Sequence, residues 1–214
     1  MSDSQQTEAD ELNRLREENT QLRQEVLGLR QFIDAMQNLM DAVETPRGEA
    51  EVLELLDDML ENALRTINAT DGSLLVVDED TRDLVFVLAK GAVPTEELAW
   101  KRLPPGKGIA GWVVDQRRPT IVNDAQTDER FYDDVDQTLD FHTQSILAAP
   151  IIGGGRVLGV IEILNKSNGR LFSAADQTLL TILCRFSGEL LYTLVRDEQP
   201  LGNLGPPPTN NGGP

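Results

Sequence analysis

From Leu12 onward, apolar residues recur at alternating steps of three and four: Leu12, Leu15, Leu22, Val26, Leu29, Ile33, Met36 and Met40, with Asn19 filling one place in the series. This is the seam of a heptad repeat. With Leu12 at position a, Leu15, Leu22, Leu29 and Met36 fall at d, and Asn19 becomes a single polar a residue, which favours two strands over three. Glu11, Glu18 and Glu25 then occupy g, and Arg16, Arg23 and Arg30 occupy e, each five residues later. Such pairs meet across chains in a parallel, in-register dimer. A helix packed on its own domain would share the apolar period but would explain neither the charge spacing nor Asn19. A basic-region zipper would need cations before Leu12, where the chain is acidic or neutral. The pattern predicts a parallel dimeric coiled coil over residues 8–44, after a disordered stretch at 1–7. It stops at Glu44-Thr45-Pro46, since proline cannot continue a helix interior but suits the first turn of a new helix with Thr45 as its cap.

Beyond this break the period changes several times. Val52, Leu56, Met59, Ala63 and Ile67 share one helical face over residues 49–68. Residues 73–77 and 84–89 read as two strands joined by a polar turn. Gly106-Lys107-Gly108 introduces a short helix at 109–114, and residues 120–122, 145–152 and 157–164 are further strands, the last two joined by a Gly-rich turn at 153–156. A long helix over 174–195 is capped by Ser173. Helix, two strands, an irregular middle, two strands and helix imply an α+β fold, an antiparallel sheet with helices packed on it. The domain is bounded at 46–198. The tail at 199–214 is rich in Pro, Gly and Asn and is expected to be disordered, because it cannot bury enough apolar surface to offset its ordering entropy.

Charge narrows the function. With 19 Lys and Arg against 36 Asp and Glu, the 214-residue chain carries a formal net charge of -17. Such a surface disfavours nucleic acid and anionic membranes as partners. No apolar run is long enough to span a bilayer, and no basic and apolar start marks a signal peptide. One cysteine, Cys184, and one histidine, His142, provide neither an internal disulfide nor a cluster of soft metal ligands. A cytoplasmic protein without a resident metal is the expectation.

The stretches Gly108-Ile-Ala-Gly-Trp-Val113, Phe131-Tyr-Asp-Asp-Val-Asp136, Phe141-His-Thr143, Ile146-Leu-Ala-Ala-Pro-Ile151, Gly159-Val-Ile-Glu162, Asn165-Lys166, Phe172 and Asp176 cover nearly the whole domain. Together they resemble a GAF domain, most closely the regulatory GAF domains of cyclic-nucleotide phosphodiesterases and adenylyl cyclases. The resemblance implies a GAF-type sheet and a small-molecule pocket. The family's Asn-Lys-Phe-Asp-Glu signature maps to Asn165, Lys166, Phe172 and Asp176, with Gln177 in place of the glutamate. The resemblance makes Lys166 and Asp176 a structural brace beside the pocket, and a carboxylate near a helix N-terminus is well placed for that role.

Ser73, Lys90, Ile109, Ala110, Tyr132, Asp136, Thr143 and Glu162 match positions that line the nucleotide pocket in the phosphodiesterase domains. The helix near Ile109 would offer backbone donors to an anionic group. Lys90 stands where an acidic residue reads guanine in the cGMP-binding members, and Leu139 replaces a hydroxyl. An ammonium only donates hydrogen bonds, so adenine is expected over guanine. Each residue also has an ordinary reading: Ser73 and Thr143 as surface hydroxyls, Tyr132 as core, Asp136 as a loop cap and Glu162 as a solvated strand position.

Enzymatic readings fare worse. GAF-type methionine sulfoxide reductases use several cysteines, and covalent bilin attachment needs one beside the pocket, whereas Cys184 falls among apolar residues of the last helix. The run Gly153-Gly-Gly155 lacks the Lys-Ser/Thr ending of a phosphate-binding loop. The expectation is a non-catalytic dimeric sensor that requires no cofactor, binds a small molecule such as cAMP, and passes the signal to a separate signalling partner protein. Dimerisation is expected through the coiled coil and the GAF helices. The alternative is a ligand-free dimerisation scaffold or adaptor.

Overall fold

The computed structural model describes residues 11–20, 22, 23, 26, 27, 30, 33, 34, 37, 49–92, 95–139 and 141–195. Helix α1 (Glu49–Ile67) leads into the hairpin β1 (Asp71–Val77) and β2 (Leu84–Lys90). A connecting segment follows, with α2 (Thr95–Leu98), β3 (Arg102–Leu103), α3 (Gly108–Gln116), β4 (Thr120–Val122) and α4 (Asp134–Leu139). A second hairpin, β5 (Ile146–Gly153) and β6 (Arg156–Leu164), precedes the long α5 (Ala174–Val195). The strands form one antiparallel sheet in the order β3-β2-β1-β6-β5-β4. The α+β antiparallel architecture read from the periodicities is therefore the observed one.

Each face of the sheet has its own core, because strand side chains alternate. On one face α1 and α5 cover Leu74, Val76, Leu147, Ile161 and Ile163. On the other, α3 and its flanking segments pack on Leu75, Phe86, Ala148 and Val160. The α5 helix sits unusually close to β5: a Cβ on Gly188 would lie 2.3 Å from the Ile152 carbonyl oxygen, and one on Gly153 would lie 2.0 Å from that of Gly188. Two facing glycines permit backbone contact that no other residue allows.

One register row positions the functional face. Thr120 pairs with Ala148, Ala148 with Glu162, Glu162 with Ser73, and Ser73 with Ala89. Directly opposed residues of neighbouring strands project to the same side. Glu162 is thus flanked by Ser73 and Ala148, side chains too short to fill the layer beneath α3.

The described residues between 11 and 37 are all helical. In the single chain Leu12, Leu15, Leu22, Val26 and Ile33 are about half exposed. Leu29, Met36 and Met40, the break at Pro46, and the predicted disordered stretches at 1–7 and 199–214 lie outside the described residues. The two-residue β3 and the short α2 and α4 are additions to the predicted elements, and α3 extends further at both ends than the expected 109–114.

Candidate functional site

The space left above the short-side-chain row is a partly open cavity. Its floor is Ser73, Ala89 and Glu162, one wall is the start of α3 at Gly108, Ile109 and Ala110, and Tyr132, Val135, Asp136 and Thr143 close it from the α4 side. Phe86, Leu98, Leu103, Phe131, Phe141, Ile146 and Leu164 supply an apolar lining. Apolar walls with a few converging polar groups are the ordinary form of a small-molecule site. All eight residues expected to contact a ligand border this cavity.

Helix α3 enters the site through Gly108, whose φ of +70° a side chain would strain, and Lys107 precedes the first turn without a side-chain cap. Its first-turn residues Gly108, Ile109 and Ala110 border the cavity. The Glu162 carboxylate already accepts the Ala110 N–H. Burial pushes the Glu162 carboxyl up to about 7, against the opposing pull of that hydrogen bond.

Lys90 borders the cavity, and its ammonium has partners outside it. It lies next to Ala89 in β2, and its register partner Gly72 pairs with Ile163 of the opposite core. Alternation turns its side chain to the helix face, where Nζ meets the carboxylates of Asp57 at 2.9 Å and Glu61 at 3.8 Å. The ammonium is thus engaged by carboxylates of α1, while Lys90 remains among the residues that border the cavity.

Asp136 and Thr143 engage each other. One Asp136 oxygen accepts the Thr143 N–H at 2.7 Å and the other its hydroxyl at 2.7 Å. Thr143 is 2% exposed, which rules out the surface-hydroxyl reading. The Thr143 carbonyl accepts from Gln126 Nε2 at 2.9 Å. The Tyr132 hydroxyl donates to Asp134, which raises the phenol's pKa, and Lys107 lies 5.4 Å from the Tyr132 ring. Asp71, which the sequence did not single out, borders the mouth and fastens the end of β2: Oδ1 accepts the Ala92 N–H and Oδ2 the Thr70 hydroxyl.

The Lys166–Asp176 pair is formed at 2.5 Å, with both side chains largely buried. Asp176 Oδ2 also accepts the backbone N–H and hydroxyl of Ser173, while the Ser173 hydroxyl accepts the Asp176 N–H, a reciprocal cap on α5. Phe172 is buried, and both its backbone groups bond the Asn123 amide, another residue missed in the sequence. Asn165 connects this region to the cavity. Its Oδ1 accepts the N–H groups of Gln144 and Ser145, and its Nδ2 donates to the His142 carbonyl, so it holds the strand of chain that carries Thr143.

Among the described residues, no three His, Cys, Asp or Glu side chains lie together where they could hold a metal, and no helix is long and apolar enough to cross a membrane. Cys184 is buried against the Ala149 carbonyl. Burial raises its thiol well above the ordinary range.

A family model described as GAF domain matches residues 49–191. The chain is 31% identical over 153 residues to the dual 3',5'-cyclic-AMP and -GMP phosphodiesterase 11 of Drosophila melanogaster, which spans 65% of this chain and 10% of that protein. It is 30% identical over 99 residues to the human rod cGMP-specific 3',5'-cyclic phosphodiesterase subunit alpha, covering 46% of this chain and 11% of the relative. The chain thus spans about a tenth of the length of these enzymes. Among solved structures, the GAF domain of a phosphoenolpyruvate-protein phosphotransferase from Coxiella burnetii matches with a TM-score of 0.64 at 17% identity, covering 77% of this chain and 94% of that one. The free methionine-R-sulfoxide reductase of Neisseria meningitidis, solved with its substrate, matches at 0.58 and 16%, covering 76% and 89%. At these identities the structural likeness describes the fold.

Proposed function

The chain belongs to the GAF domain family, and from that premise we propose that it is a non-catalytic dimeric sensor whose cavity binds a cyclic nucleotide, cAMP in preference to cGMP. The observation that carries this reading is the row Ala89, Ser73, Glu162 and Ala148, which opens a polar-floored cavity beneath the N-terminus of α3. The named activities of the phosphodiesterase relatives supply the ligand class. Adenine is favoured on narrower ground than the sequence suggested: position 90 offers no acceptor for the guanine edge, although its ammonium lies elsewhere. Residues 46–198 form the sensing domain and 8–44 a parallel coiled coil, between disordered ends at 1–7 and 199–214. Signal passes to a separate partner protein. A single buried cysteine that needs no oxidising compartment supports a cytoplasmic place.

Calorimetric titration of the full chain with cAMP and cGMP tests the reading. Binding of cAMP with several-fold weaker cGMP binding is expected, together with a ligand-dependent rise in Tm, since only the folded cavity recognises the nucleotide. Absence of binding by either at millimolar concentration removes it. The ligand-free scaffold is the second reading, favoured by the Asp136–Thr143 pair, which is fully satisfied without a ligand.

A further inference from the structure

Glu162 sits in an unusual position for a carboxylate. It occupies a central strand of the sheet, faces an apolar-walled cavity, and accepts the N–H of Ala110 in the first turn of α3. That turn is where an anionic ligand would find its backbone donors. A carboxylate and a ligand phosphate would therefore contend for one set of donors, at close range and in a low-dielectric site.

Among the described residues, the lysines at and beside the cavity have other partners. Lys90, at the end of β2, is engaged by Asp57 and Glu61 on the other face. Lys107, ahead of α3, lies over the Tyr132 ring. From β1, Asp71 is held by Ala92 and Thr70; from the α4 side, Asp136 is held by Thr143 and Tyr132 by Asp134. The facing residues of β5, Ile146 and Ala148, carry no charge.

We infer that an anionic ligand enters this cavity together with a proton, which Glu162 carries while the ligand is bound. When Glu162 is neutral, its O–H becomes a donor toward the ligand and the Ala110 N–H is released to the anion. When Glu162 is ionised, the same turn presents a negative charge. The carboxyl's position near neutrality places this exchange within reach of ordinary pH. A cyclic phosphodiester stays singly anionic throughout that range, so the proton linkage belongs to the protein.

This inference rests on the cyclic-nucleotide reading, and the experiment separates the two. Full chain is titrated with cAMP between pH 5.5 and 8.5, in two buffers of different ionisation enthalpy. Affinity is expected to fall by as much as about tenfold per pH unit above about 7, with close to one proton taken up per site at the alkaline end. Glu162→Gln, which keeps the shape and cannot ionise, should bind with a flat profile and no uptake. Adenosine, which lacks the anion, should show no linkage of this kind even in the unaltered chain, whereas a general loosening of the fold would affect it equally. Binding of cAMP with flat affinity and no proton uptake overturns the inference and leaves the ligand reading intact. Failure of cAMP and cGMP to bind even at pH 5.5 overturns both.

Discussion

The carboxylate of Asp136 receives both the backbone N–H and the hydroxyl of Thr143, each at 2.7 Å. Both residues border the cavity, and their contact ties the α4 segment to the chain that leads into β5. Asp136→Ala strips two buried donors of their acceptor and should cost about 1–3 kcal/mol in urea denaturation. Thr143→Ala removes one bond and should cost less. The double variant should fall short of the sum, because the residues share one contact. Additive losses would show that the two side chains act separately.

Asp176 serves three partners at once: Lys166 Nζ, the Ser173 N–H and the Ser173 hydroxyl. Asp176→Ala leaves a largely buried ammonium without its counter-ion and uncaps α5, so a loss of about 2–4 kcal/mol is expected. Lys166→Met should cost less, since Ser173 still satisfies the carboxylate and the methionine stem keeps the packing. Below the shifted Tm, nucleotide affinity of Asp176→Ala should stay within about twofold of the parent by calorimetry, because neither brace residue borders the cavity.

Asp78 gives the fold an acid limit. The N–H groups of Thr81 and Asp80 and the guanidinium of Arg102 favour its ionised form and lower its carboxyl to about 2. A carboxyl depressed in the folded state contributes stability that is fully present above its unfolded value and disappears as pH falls through the folded one. The contribution, about 1–2 kcal/mol after allowance for solvent screening, should therefore be complete above about pH 4 and gone near pH 2. Asp78→Asn should be less stable than the parent at pH 7, with the gap closing across that window in a series of urea melts. A gap unchanged at pH 2 would assign the effect to shape.

Much of this was legible in the chain because long, periodic segments declare themselves. The apolar faces of α1 and α5, the strands of both hairpins and the Ser173 cap follow from local rules. The partners of the Lys90 ammonium were not legible, because they depend on strand parity. Ala89 and Ser73 are register partners facing the cavity, so Lys90, one residue on, belongs to the other face. That inference needed pairing register, which a sequence does not print, and a bulge between Leu74 and Leu75 shifts it further. Asn123 was missed for a related reason: its partner Phe172 is 49 residues away, and a lone amide in a loop carries no periodic signal. Short elements such as β3 and α4 owe their form to the tertiary frame.

The last expectation concerns assembly. In the single chain Ile182 and Phe186, four residues apart on one face of α5, are 45% and 37% exposed, and Leu12, Leu15, Leu22, Val26 and Ile33 are about half exposed. A second copy would cover both apolar faces. Ser4→Cys tests the orientation. In a parallel coil the two cysteines lie together and oxidise rapidly to a linked dimer, whereas an antiparallel pairing over 8–44 sets them about 50 Å apart at 1.5 Å per residue. Rapid linkage is expected in the full chain, and its absence in a chain that still sediments as a dimer would refute the register of Glu11, Glu18 and Glu25 against Arg16, Arg23 and Arg30. Asn19→Leu should raise the dimer's stability while admitting higher oligomers, since the buried amide costs stability and specifies two strands. Phe186→Glu should weaken the dimer measured by sedimentation equilibrium with little change in the fold, because the site is open in each single chain. If Phe186→Glu instead unfolds the protein with no effect on association, this face of α5 supports its own domain and the coil alone joins the two copies.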